Sequence, residues 1–179
     1  MIKKILLGLG IVLLVLVGVV ALQPEDFRIS RATTIQAPAA VVFEQVNDFH
    51  KWEAWSPWAK LDPQAKVAFD GPTAGEGAQF AWAGNQEVGE GRMTIVESRP
   101  GEVVRIRQEF LKPFEGRSET EFLFVPEGDG TKVTWTMSGK NNFVGKAISL
   151  VMDCDSMVGS QFEQGLANIK AVCESATGR

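Results

Sequence analysis

EVVRIRQEFLKPFEGRSETEFLFV, residues 102–125, alternates apolar and charged side chains on either side of a Lys-Pro-Phe-Glu-Gly break. Val104, Ile106, Gln108 and Phe110 share one face, and Arg105, Arg107 and Glu109 share the other. Such a period of two is the signature of a half-buried strand. Beyond the break, Thr120, Phe122 and Phe124 oppose Arg117, Glu119 and Glu121 in the same way. If Leu111–Gly116 closes a hairpin, the outward charges meet with complementary sign, each pair contributing about 0.2–1 kcal/mol. The stretch therefore predicts antiparallel pairing with one dry face and one wet one.

Four further segments repeat the pattern: KVAFD, AQFAW, RMTIVE and TKVTWTM, separated by glycine turns. FRISRATTIQ adds an earlier strand, with Phe27, Ile29 and Ile35 on one side, and Pro38 suits the first turn of a helix carrying Val42, Phe43 and Val46. After the last strand, Asn141-Asn142 can cap a helix from about Phe143 to Glu174. Its stripe runs Val144, Ile148, Val151, Val158, Phe162, Leu166, Ile169 and Cys173, at helical spacing. The expected fold is α+β, a seven-stranded antiparallel sheet wrapped on this long terminal helix.

The chain opens differently. Lys3 and Lys4 precede an unbroken apolar run from Ile5 to Leu22, long enough as a helix to span about 27 Å. The expectation is an uncleaved single-pass anchor, with the alternative of a cleaved signal peptide ending near Val19-Val20-Ala21. The positive-inside rule keeps the lysines in the cytoplasm. The rest is then periplasmic or extracellular, or secreted if the segment is cleaved. The divisions are 1–22 anchor, 23–26 linker, 27–175 domain and 176–179 tail.

Composition narrows the classes. The net charge of −4, with no basic stripe, argues against a nucleic-acid partner. One histidine and two distant cysteines build no zinc site of the usual spacing, and no cofactor is implied. Cys154 and Cys173 on one continuous helix would stand about 28 Å apart, too far for a disulfide.

FHKWEAWSPW, residues 49–58, holds three of the five tryptophans beside the only histidine. Trp52, Trp55 and Trp58 fall on one side of a helical or 3₁₀ turn interrupted at Pro57. Burying each ring removes on the order of 150–250 Å² from water. Two readings overlap: packing against the sheet rim or terminal helix, and the wall or mouth of a ligand site. His50 has a suitable intrinsic pKa for a general base, yet no sequence partner, and Lys51 beside it suggests a surface turn. Asp155 lies between Val151 and Val158 on the apolar stripe. On a continuous helix its carboxylate would turn inward as a candidate acid; otherwise Asp153 or Asp155 caps a helix segment after a break. Glu87 and Glu90 read as solvated, and Gly71–Gly77 as turns, since the lysine and hydroxyl residue of a phosphate loop are missing.

Several local motifs carry a resemblance. Trp55-Ser-Pro-Trp58 with Asp62-Pro63, Trp82-x-Gly84-Asn85, Val88-Gly-Glu-Gly91, Phe110-x-Lys-Pro-Phe114 and Gly165-Leu-Ala-Asn-Ile-Lys170 follow one another along the chain. With the order of elements, they resemble the START-like (SRPBCC) superfamily of helix-grip folds, in its membrane-anchored polyketide-cyclase/dehydrase-like branch. That superfamily includes pollen allergens, lipid-transfer domains and polyketide cyclases. The resemblance implies a hollow between sheet and helix that holds a small hydrophobic or lipid-like molecule. Expected around it are Trp55 and Trp58 at the mouth, and Phe80, Trp82, Ile106 and Gln108 from the sheet. Phe122 and Trp135 complete the sheet side, with Val158 and Phe162 from the helix. The leading expectation is a membrane-tethered binder of such a ligand. The alternatives are a cyclase or dehydratase using Asp155 or His50, and a module that grips a protein partner of unknown identity.

Overall fold

The computed structural model describes residues 2–176, so most of the expected tail, 177–179, lies outside the described residues. Helix α1 (Ile2–Ala21) has a mean hydropathy of 2.8 and buries only Val20 against the rest of the molecule. It is long and apolar enough to cross a membrane, a test that signal sequences also pass. Strand β1 (Asp26–Ile35) follows, then α2 (Ala39–Asn47), a 3₁₀ turn (Phe49–Ala54) and α3 (Pro57–Leu61). Six strands come next: β2 (Lys66–Asp70), β3 (Gln79–Ala83), β4 (Glu90–Arg99), β5 (Val103–Lys112), β6 (Gly116–Glu127) and β7 (Gly130–Lys140). Helices α4 (Phe143–Val151) and α5 (Cys154–Ala176) end the chain.

The strands form one antiparallel sheet in the order β1-β7-β6-β5-β4-β3-β2. The hairpin read from residues 102–125 is present, with Arg105 opposite Glu121, Arg107 opposite Glu119 and Glu109 opposite Arg117. Arg105 Nε donates to Glu121 Oε2 at 2.8 Å, and Arg92 joins Glu109 on the same outer face. Gly71, Gly75 and Gly77 have φ of 76°, 82° and 89°, so the β2–β3 connection is a set of turns that only glycine adopts without strain.

Register gathers the connections at two ends. Asp26 pairs with Lys140, Gly139 with Ser118, Phe110 with Gly116, Lys112 with Glu90 and Ala83 with Lys66. The end of α1, the start of α4 and the β5–β6 turn therefore share one end of the sheet. Helix α5 lies across the inner face on β1 and β7, while α2 covers β5, β6 and β7 toward the opposite end. Ile35, Val42, Val46, Ile106, Phe122, Leu166 and Ile169 are all fully buried or nearly so.

One expectation is corrected here. The continuous terminal helix gives way to the alternative reading, a break capped by Asp153: the chain leaves α4 at Met152-Asp153 and starts α5 there. Asp153 accepts from the Ser156 amide at 3.0 Å and from the Ser156 hydroxyl at 2.6 Å, the pattern of an N-cap that starts a new helix. Asn142 starts α4 likewise, accepting from the Gly145 amide at 2.9 Å. The stripe from Val158 to Cys173 is the inward face of α5, but Val144 and Val151 are exposed on α4, which lies against α1 instead.

Candidate functional site

The tryptophan segment falls over the inner face of the sheet because α2 ends at Asp48, whose side chain accepts from the His50 amide at 2.9 Å and starts the 3₁₀ turn. Trp52 and Trp55 then point inward, ring centroids 4.6 Å apart. Each satisfies its indole N–H on a backbone carbonyl at 3.0 Å, Trp52 on Val46 and Trp55 on Gln45. Trp55 meets Phe122 and Trp135 edge-on, at 6.3 and 5.8 Å. Trp135 stacks on Phe162 of α5 at 4.1 Å with only 9° between the planes. Its ring has room there because Gly165 carries no side chain: a Cβ at that position would sit 2.7 Å from Trp135 Cζ3.

These rings occupy the space where the resemblance implies a hollow. Trp55, Ile106, Phe122, Trp135 and Phe162 are buried core, so Trp55 is not at a mouth. Trp58 is half-buried, edge-on to Trp135 and Phe162 at 6.0 and 6.3 Å, and Val158 is half-buried against the same cluster. Buried Trp135 Nε1 finds no hydrogen-bond partner among the described residues, which costs on the order of 1–3 kcal/mol.

The remaining candidates gather on the inner face at the α1 end. Gln108 faces Met93 on β4 and Ser118 on β6. Its Oε1 accepts from Ser118 Oγ at 3.1 Å and from Thr120 Oγ1 at 2.6 Å, while among the described residues its Nε2 reaches only the Met93 thioether at 3.4 Å. Two hydroxyls thus hold the carbonyl side of the amide, and a weak sulfur acceptor takes the donor side. Aromatic rings flank this polar floor. Trp82 lies flat over Gly91, where a Cβ would come within 2.5 Å of its Cζ2. It stacks with Phe80 at 6.0 Å and meets Phe110 edge-on at 6.0 Å, all three rings half-buried. On the other flank Phe27 lies over Gly139, a Cβ there being 2.9 Å from Phe27 Cε1. Sequence reasoning named Gln108, Phe80 and Trp82 but not Ser118, Thr120 or Phe110 as site residues, although strand parity places all three on this face.

Neither acid–base candidate reaches it. His50 is half-exposed, stacked on Phe69 at 4.0 Å with Nδ1 2.9 Å from Asp48 Oδ1, beside a shallow surface depression of about 440 Å³. Asp155 does not face inward: its exposed carboxylate binds Arg31 Nη2 at 2.9 Å. Arg31 also holds Glu163 Oε1 at 2.8 Å, and these two hydrogen-bonded carboxylates keep its guanidinium above its ordinary value. Asp153 is held below the usual carboxylate range, first by the Ser156 hydroxyl and then by its amide. Around Gln108, on the α1 half of the inner face, the chemistry available is therefore hydrogen bonding by neutral groups, surrounded by apolar rings.

Known proteins share this architecture. Protein CV1439 of Chromobacterium violaceum superposes with a TM-score of 0.58 at 17% identity, covering 84% of this chain and 99% of that one. The Aha1 dimer protein of Colwellia psychrerythraea gives 0.60 at 15%, covering 83% and 96%. The di-domain ARO/CYC protein StfQ from the steffimycin biosynthetic pathway gives 0.62 at 10%, covering 87% of this chain and 53% of its own, so this chain spans about half of it. At such identities the likeness is one of fold. No curated protein matches the chain. The family model for polyketide cyclase / dehydrase and lipid transport matches residues 26–174, and the chain belongs to that family.

Proposed function

We propose that this chain is a membrane-tethered domain that binds a small hydrophobic molecule bearing one hydrogen-bond acceptor. The Gln108 amide carries the reading. Its carbonyl is held by two hydroxyls, and among the described residues its Nε2 has only a thioether at 3.4 Å, so a ligand carbonyl, carboxyl or hydroxyl oxygen would be the better partner. The apolar body would lie between Trp82, Phe80 and Phe110 on one flank and Phe27 on the other. Such a mix of apolar walls and one placed polar group is typical of small-molecule sites. α1 supplies the tether, with Lys3 and Lys4 on the cytoplasmic side and the domain periplasmic or extracellular.

A photoreactive medium-chain fatty acid, added to the full chain in lipid nanodiscs, tests this. Labelling should map to peptides containing Gln79–Ala83 and Val103–Lys112. Gln108→Leu should reduce it by roughly 2–10-fold, the equivalent of one hydrogen bond. Labels confined to α1, or unchanged labelling in both Gln108→Leu and Trp82→Ala, would refute the site.

A further inference from the structure

Helix α4 is built the wrong way round for a helix of a water-soluble domain. Its buried residue is Lys146, whose Nζ lies 3.5 Å from Glu25 Oε1, while Phe143, Leu150 and Val151 are exposed, Val151 by 83%. Asn142 Nδ2 donates to Glu115 O at 3.3 Å and so ties the start of α4 to the β5–β6 turn. That turn exposes Phe114 by 56%, and Leu111 is exposed just before it at the end of β5. A shallow depression of about 510 Å³ along Ser149–Asp155 marks the break that follows α4. Both apolar elements lie at the end of the sheet where α1 joins, and α4 lies against α1.

We infer that α4 and the β5–β6 turn insert into the lipid interface next to α1 and hold the Gln108 face at the bilayer surface. The inference rests on α1 crossing the membrane. From Ala21 to Asp26 is five residue steps, at most about 18 Å, so a spanning α1 keeps this end of the domain within that reach of the headgroups. The Asn141 amide donates to Glu25 O at 2.7 Å, which fastens the linker to the start of α4 and removes further slack. An exposed apolar patch continuous with a membrane helix fits lipid as its occupant, because an interfacial helix buries its apolar side about 5–10 Å into the headgroup–acyl boundary. The half-open inner face, with Trp82, Phe110 and Gln108 at this same end, would then exchange an apolar ligand with the bilayer without passing it through water.

Depth-dependent quenching tests the placement. In a Cys154→Ser background, the variants Leu13→Cys, Phe114→Cys, Val151→Cys and Val125→Cys are labelled with an environment-sensitive dye. The full chain is then placed in phosphatidylcholine–phosphatidylglycerol vesicles containing doxyl lipids. Leu13 reports on α1, and Val125, exposed toward the opposite end of the sheet, is the aqueous control. The expected result is strong quenching at 13, clear quenching by shallow doxyl groups at 114 and 151, and none at 125. Quenching at 13 with 114 and 151 as silent as 125 overturns the inference and leaves the anchor standing. Silence at 13 overturns the anchor itself. Because the inference rests on the anchor, silence at 13 overturns it as well, whatever the signal at 114 and 151.

Discussion

Arg31 lies across Gly159: a Cβ on that glycine would sit 2.0 Å from Arg31 Nη2 and 2.4 Å from its Cζ. The arginine rises from the inner side of β1, beside Trp135 in register, and passes under α5 to reach Asp155 and Glu163. A glycine inside a helix is ordinarily a loss of up to about 1 kcal/mol relative to alanine. Here it is the gap through which the cation passes.

That relationship yields a double-mutant cycle. Gly159→Ala should change the melting temperature little, because the displaced group is the flexible end of Arg31 and the gain in helix propensity offsets the lost ion pairs. In an Arg31→Ala background the same change should be stabilising, since helix propensity then acts alone. Additive melting temperatures across the four proteins would show that the contact is incidental. Asp155→Asn alone should cost little, as expected for a largely exposed pair, and should not stabilise the fold.

The hairpin and the break between α4 and α5 show what a sequence can reveal. Arg105, Arg107 and Glu109 met their expected partners because a strand's faces follow from parity alone. The continuous helix did not form, although Val144, Ile148 and Val151 hold helical spacing with Val158. Periodicity is local, and it continued across a residue that caps. Asp153 with Ser156 three positions on was the available signal, and with it Asp155 turns outward to Arg31. Arg31 itself stood on the apolar parity of Phe27 and Ile29, a hint that a partner lay on the covering helix. The Gln108 site was half legible: parity put Gln108, Thr120 and Phe110 together. Nothing in the sequence told that Trp55, Phe122, Trp135 and Phe162 would close on one another while Phe80, Trp82 and Phe110 stay half-buried.

Acid should weaken the domain in part through two identifiable carboxylates. Glu109, hydrogen-bonded first by Arg92, and Asp153, bonded by Ser156, are both held below their ordinary values. A carboxyl depressed in the fold stabilises it fully above the unfolded value, roughly pH 4, and the contribution disappears as pH falls through the folded value. Melting temperature should thus be insensitive to these groups from pH 7 to 5 and fall below about pH 4. Glu109→Gln and Asp153→Asn should each flatten that acid limb, and an unchanged limb in both would contradict the assignment.

At the alkaline side the group to follow is Cys173. Burial, and then the neighbouring Glu174, push its thiol up from 9.0 to about 11. A raised thiol stabilises the fold below the unfolded value and loses that contribution as pH rises toward the folded one. Stability should therefore decline between about pH 9 and 11, and less steeply in Cys173→Val. A thiol reagent at pH 8 should modify half-buried Cys154 quickly and fully buried Cys173 only on unfolding. Equal rates at the two positions would mean that α5 frays from the sheet.

The tryptophans permit the last test, because their five environments are so different. Trp55 is fully buried and its N–H is bonded to Gln45 O, so Trp55→Phe removes a hydrogen bond and ring volume together. It should destabilise by about 1–3 kcal/mol. Trp58→Phe, at a half-buried position, should cost under about 1 kcal/mol. Acrylamide should quench Trp58 and Trp82 and spare Trp52, Trp55 and Trp135. Addition of an apolar carboxylic acid should then change the emission of Trp82, whose ring lies over Gly91 beside Phe110, close to the Gln108 amide. Trp82→Phe should abolish most of that response with the melting temperature nearly unchanged, whereas Trp55→Phe should preserve the response in the fraction that remains folded. A response lost with Trp55 and retained without Trp82 would move the ligand from the open end of the sheet into the aromatic core, where Trp135 and Phe162 would have to part to admit it.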